Sequence, residues 1–231
     1  MITAAAVCPH PPLLFRELTG RRDVAAELRA ACLSAVAAAT SSDPDVVVVV
    51  GGDEVTGSWD SALPARVRRF GTTGGADRPG LPLSLGVARR LLDESGWRGR
   101  VEMHTVAWTA SVNEVTEVTA LAARLSGHEE RVALLVLGEG STRRGDKAPG
   151  YLDERAFPFD DAIGNALASG DLDALAGMDA GLAEELMVSC RAPFAVLASV
   201  VRGGHATPRT KLLYEDDPFG VMYFVAAWDL T

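Results

Sequence analysis

Apolar, β-branched runs at 2–7, 45–50, 101–106 and 131–137 alternate along the chain with stretches whose apolar residues recur every three or four positions. That rhythm predicts strands separated by helices. Val24, Leu28, Cys32 and Val36 recur at four-residue intervals in an alanine-rich stretch, predicting an amphipathic helix over 23–40. Val46, Val47, Val48, Val49 and Val50 are consecutive, the pattern of a strand covered on both faces. Further helices are predicted at 83–95 and 113–125. Two or three more are expected within 171–202, with Asp171 and Asp179 as capping starts and Pro193 in an early turn. The tail returns to strands at 211–214 and 221–225 around Asp216-Asp217-Pro218-Phe219-Gly220, an antiparallel hairpin. The sum is an α/β chain: a three-layer α/β/α domain with a central, mostly parallel (mixed) sheet and a C-terminal antiparallel hairpin.

Two segments break the rhythm. Residues 51–82 are rich in Gly, Asp, Ser, Thr and Pro, too long for a simple connection, and predict an irregular functional loop or a pair of minor strands. A second long loop begins at Gly138-Glu139-Gly140-Ser141 and runs through Pro149-Gly150-Tyr151 before a helix opens near Asp153. If the strands are parallel, both loops leave the same sheet edge, and His10, Asp53 and Glu139 gather there, where open α/β sheets bind ligands.

Bulk properties narrow the classes. A chain of 231 residues fits one domain spanning 1–231, and 48% hydrophobic with 23% charged residues is the balance of a chain with a sizeable core. A net charge of -9 opposes nucleic acid and anionic membrane surfaces as partners. Cys8, Cys32 and Cys190 form no CxxC pair, which predicts reduced thiols in a cytoplasmic protein. No uncharged apolar run approaches the ~20 residues of a membrane span. A homodimer is the default expectation for assembly.

The candidate chemistry starts at Cys8-Pro9-His10-Pro11-Pro12. Prolines on both sides leave His10 little backbone freedom, so its imidazole suits a first metal ligand; it equally suits a stiffened turn whose histidine bonds a carbonyl. Asp53 and Glu54 follow a buried strand and read as one carboxylate in the cleft or as a turn cap. Glu139 between glycines reads as a close approach to a ligand or as an ordinary turn. Arg143, Arg144 and Lys147 form a basic cluster suited to an anionic small molecule, or to pairing with Asp146 and Asp153. His205, after Gly203-Gly204, is a mobile base or a surface histidine. His104 is expected to pack or bond locally, and His128 to be exposed.

The Cys8-Pro9-His10-Pro11-Pro12 loop, the valine strand ending in Gly51-Gly52-Asp53, and Leu137-Gly138-Glu139-Gly140-Ser141 together resemble the class III extradiol ring-cleavage dioxygenase superfamily. Gly145-Asp146-Lys147-Ala148-Pro149-Gly150-Tyr151 and Pro218-Phe219-Gly220-Val221-Met222 resemble its actinobacterial branch. The resemblance implies a nonheme Fe(II) held by two histidines and a glutamate, a further histidine as acid-base catalyst, and opening of a catechol ring with dioxygen. Here His10 matches the first ligand, and Asp53 stands where the second histidine belongs. The loop 138–144 has no histidine, and 189–194 has no glutamate, with Glu184 and Glu185 just before it. The resulting expectation is an altered site acting on a small anionic or aromatic molecule. His10 and Asp53 are its metal ligands, Glu139 and His205 its proton-moving groups, and Arg143 and Arg144 its substrate anchors. One histidine with carboxylates suits Zn²⁺, Mn²⁺ or Mg²⁺ as well as Fe(II). The alternative is a non-catalytic binding or assembly protein that kept the fold and holds no metal.

Overall fold

A computed structural model of the chain describes residues 1–66, 80–108, 120, 130–205 and 207–231. Among them are seven strands in one sheet: β1 (Ile2–Cys8), β2 (Val46–Asp53), β3 (Gly57–Trp59), β4 (Arg100–Ala107), β5 (Val132–Leu137), β6 (Arg209–Asp216) and β7 (Tyr223–Asp229). Their order is β3-β4-β2-β5-β1-β7-β6. The four central strands are parallel, while β3, β7 and β6 run antiparallel to their neighbours. Helices α1 (Ala26–Thr40) and α2 (Leu83–Glu94) cover one face; α3 (Ala156–Ser169), α4 (Leu172–Ala176), α5 (Ala180–Glu185) and α6 (Arg191–Gly203) cover the other. This is the α/β, mixed-sheet, three-layer arrangement with a terminal antiparallel hairpin that the patterning predicts.

The valine run explains the layering. Successive side chains of a strand point to opposite faces. Val46, Val48 and Val50 therefore join the core beneath α6, and Val47 and Val49 the core beneath α1 and α2. Each fully buried valine contributes about 1.5–3 kcal/mol. At the end of β2 the side chains shrink to Gly51 and Gly52, and there the helices come closest. A β-carbon on Gly52 would lie 2.9 Å from the Ser189 carbonyl oxygen, and one on Gly138, just beyond β5, 2.5 Å from the Cys190 α-carbon. The head of α6 is thus seated directly on the carboxyl ends of β2 and β5.

The structure adjusts several expected boundaries. The first helix opens at Ala26 because Asp23 turns back, its carboxylate accepting the Ala25 N–H at 3.2 Å and pairing with Arg29; Val24, ahead of the helix, is exposed while Leu28, Cys32 and Val36 are buried. Asp171 and Asp179 do cap, accepting first-turn N–H groups of α4 and α5, and Pro193 sits in the first turn of α6. The hairpin is longer than expected, but Val221 and Met222 fall outside it. The Met222 N–H and C=O instead bond Ser141 and Gly140, each at 2.9 Å, which ties the loop after β5 to the sheet. Of residues 51–82, the described part beyond β2 adds the short β3 and one isolated bridge between Ala65 and Leu81. The helix expected at 113–125, apart from residue 120, and His128 lie outside the described residues. Among the described residues no helix is long and apolar enough to cross a membrane.

Candidate functional site

The parallel strands end on a common edge, and His10, Asp53 and Glu139 follow or close three of them. His10 is 6% exposed. In the stretch Pro9-His10-Pro11-Pro12 the only main-chain N–H belongs to His10, since proline has none. That single donor is given to Glu139 Oε1 at 3.1 Å. Glu139 is itself clamped: its N–H donates to Ser189 Oγ at 2.9 Å, and its carbonyl accepts the Ser189 and Cys190 amides at 3.1 and 3.0 Å. The glycines beside it are required by close packing, because a β-carbon at Gly140 would meet Asp160 Oδ1 at 2.6 Å and Met222 at 2.8 Å. Glu139 therefore serves as the anchor of the histidine loop, with one carboxylate oxygen committed to main chain. The His10 ring atom Nδ1 is buried and has no hydrogen-bond partner among the described residues, an arrangement that costs about 1–3 kcal/mol unless something else fills it.

Asp53 lies at the same place. Burial pushes its carboxyl above the ordinary range and the charge of Glu54 adds to this, while the Glu54 amide, the His10 ring and the Arg66 guanidinium pull it back. A cavity of about 290 Å³ opens beside Asp53, with Phe15, Trp59, Arg66 and Leu81 among its walls. Trp59 is held by a hydrogen bond from its indole N–H to Thr105 Oγ1 at 2.9 Å. A larger furrow of about 460 Å³ runs between residues 61–65 and α2. Its charged side chains are already paired, Arg89 with Asp93 and Arg90 with Glu17, so it offers less chemistry than the smaller cavity.

The other expected site residues go elsewhere. Arg144, expected as a substrate anchor, is paired within the fold: it lies 2.5 Å from Asp217 and 3.4 Å from Asp160, with its guanidinium 4.5 Å over the Phe157 ring. Asp160, 0% exposed, accepts the Ser141 N–H at 2.8 Å and the Ser141 hydroxyl at 2.5 Å. Burial raises its carboxyl, and the Ser141 and Arg144 bonds oppose the rise. Arg143 ties its own loop by donating to the Gly150 carbonyl at 2.6 Å, while its Nε is buried without a partner among the described residues. His205 does not reach the cleft. It follows α6, whose 13 residues carry the chain about 20 Å from the Cys190 end. It is exposed there, with φ +55°, near the start of β6. His104 bonds Ser58 Oγ through Nδ1 at 2.9 Å, the local role expected of it. Cys8 and Cys190 are buried thiols pushed well up, Cys8 first by its hydrogen bond with Cys32 and Cys190 by burial. Burial of this kind disfavours the thiolate form.

A two-histidine, one-carboxylate iron site does not fit these residues. Among the described residues no group of three or more His, Cys, Asp and Glu is placed to hold a metal ion. His10 and Asp53 supply two donors, and Glu139 is half used by the His10 amide. Sequence reasoning missed Ser189 and Asp160, and Tyr223 as well, a 3% exposed phenol close enough to Glu139 for that carboxylate, after burial, to push its proton affinity up.

No family model matches the chain, and no curated protein matches it. Among solved structures it is similar to an uncharacterised protein from Escherichia coli K12, with a TM-score of 0.53 and 13% sequence identity over 98% of this chain and 99% of that one. At that identity the likeness concerns the fold: two chains of nearly equal extent build the same α/β architecture from largely different residues.

Proposed function

We propose that this chain is a small-molecule-binding, enzyme-like protein whose working group is the His10 imidazole at the carboxyl edge of the sheet, on an extradiol-dioxygenase-like scaffold without that family's iron triad. One observation carries the reading: a ring nitrogen buried without a partner among the described residues, in the stretch 9–12 whose one main-chain N–H is clamped by Glu139. Protein polar groups buried this deeply are normally satisfied, and exceptions concentrate where a ligand or water completes the set. Prolines and Glu139 fix the backbone that carries the ring, and a ligand or water reaching that nitrogen near Asp53 would complete its set. A neutral imidazole there accepts a proton at Nδ1 or donates one, depending on tautomer, which suits general acid-base work.

Imidazole nitrogen NMR on the full chain tests this, with melting curves in Mn²⁺, Fe²⁺ and Zn²⁺ beside it. A small aromatic ligand entering the cleft is expected to shift the His10 nitrogens, the melting temperature to stay within about a degree on adding metal, and anaerobically Fe(II)-loaded protein to leave catechols intact in air. A metal-induced rise in melting temperature that His10→Ala abolishes would replace the reading with a cation site at His10 and Asp53, because an ion bound only by the folded state must stabilise it. Ring cleavage by the iron-loaded protein would overturn it outright.

A further inference from the structure

We propose that the cavity beside Asp53 takes a small zwitterion: an ammonium group on the Asp53 and Glu54 side, an acidic group at Arg66, and an apolar body against Trp59 and Phe15. This deepens the reading of the edge as a small-molecule site and rests on it. The cavity walls carry charge of both signs. Arg66 and the two carboxylates line the same cavity, and among the described residues no ion pair joins Arg66 to Asp53, so the positive and negative walls face the space without closing on each other. A simple anion entering that space gains Arg66 but meets two carboxylates; a simple cation gains the carboxylates but meets the guanidinium. A molecule bearing both charges satisfies both walls at once, and opposite charges at fixed separation set its direction in the cavity.

Three further features support this choice. The Trp59 ring is locked by Thr105 and so presents a fixed apolar face to the body of the ligand. α2 opens at the cavity with Pro82 and Leu83, with no capping side chain among the described residues and no acidic residue in its first turn, which leaves its positive end on the side of the acidic group. His10, which does not line the cavity, lies near enough to Asp53 for its field to reach that carboxyl, and its Nδ1 has no partner among the described residues.

Titration calorimetry of the full chain with L-phenylalanine, 2-phenylethylamine and 3-phenylpropanoate separates the contributions, because the three share one body and differ only in charge. Phenylalanine is expected to bind, with each single-charge analogue about tenfold weaker or worse, the loss of one charge-assisted hydrogen bond. Arg66→Gln is expected to weaken phenylalanine and to tighten 2-phenylethylamine, which then no longer meets the guanidinium; Asp53→Asn is expected to weaken phenylalanine and to tighten 3-phenylpropanoate. Equal affinity for phenylalanine and either analogue, or phenylalanine binding indifferent to Arg66→Gln, overturns the zwitterion while leaving the small-molecule site in place. Failure of phenylalanine to bind also overturns it, and the His10 nitrogen spectrum then reports separately on the broader reading.

Discussion

Asp160 and Asp53 are both carboxylates that burial pushes upward, and they have opposite surroundings. Asp160 is closed: the Ser141 amide, the Ser141 hydroxyl and Arg144 occupy its oxygens, and Arg144 is shared with Asp217. Asp53 is open, with a cavity at its side and, among the described residues, no ion pair to the Arg66 that shares that cavity and no partner for the nearby His10 Nδ1. A buried charge needs partners, and the source of those partners distinguishes structure from site. Where the protein supplies all of them, the group fastens one element to another, here α3 to the loop after β5. Where it supplies only some, the remainder is left for a ligand.

The sharpest way to break this comparison is Asp160→Ala. It leaves the Ser141 amide and hydroxyl without their acceptor while Arg144 keeps Asp217, and buried polar groups left unsatisfied in this way cost about 1–3 kcal/mol each. Urea melts are expected to show that loss, with Asp160→Asn, which keeps an acceptor for Ser141, losing visibly less. A loss no larger than that of an exposed substitution would mean that Asp160 fastens nothing, and the contrast with Asp53 would fail.

The layers of the fold are legible in the sequence because they follow from alternation: five valines in a row require cover on both faces, and helical spacing between strands supplies it. The meeting of His10, Asp53 and Glu139 is legible for the same reason, since parallel strands end on one edge. What the residue pattern does not carry is direction. Phe157-Pro158-Phe159-Asp160-Asp161 offers two adjacent aspartates, and only the packing of α3 turns the first inward. Arg144 reads as a loop cation until that turn is known, and then it belongs to Asp160. His205 reads as a mobile base until the length of α6 is counted, which carries it to the other end of the sheet. Glu139 between glycines reads as a point of close approach, and what it approaches is the one amide in a run of prolines.

A middle-sized effect is expected at that amide. Glu139→Ala removes the acceptor of the His10 N–H, a bond to a charged group in a partly buried place, for which about 1.5–3 kcal/mol is usual. Glu139→Gln retains the acceptor and is expected to lose less than half of that. Hydrogen exchange at the His10 amide separates anchoring from general destabilisation: it is expected to speed up in Glu139→Ala beyond the increase at the neighbouring β1 amides. Uniform acceleration would show that Glu139 supports the sheet edge as a whole and does not hold the histidine loop.

The smallest effect is the most telling, because its sign is reversed. The Asp53 carboxyl is raised in the folded protein, so below the unfolded value of about 3.9 the group is neutral in both states and contributes nothing. As pH rises toward the folded value, the unfolded chain ionises first, and stability falls until both states are charged. Asp53→Asn removes that decline, so the variant is expected to melt slightly higher than the parent at pH 7 and at the same temperature near pH 3. On the proposed reading, a carboxylate left for a ligand is held at a cost to the empty fold, and deleting its charge stabilises the protein. If Asp53→Asn instead lowers the melting temperature at pH 7, Asp53 has partners within the fold, and it belongs with Asp160.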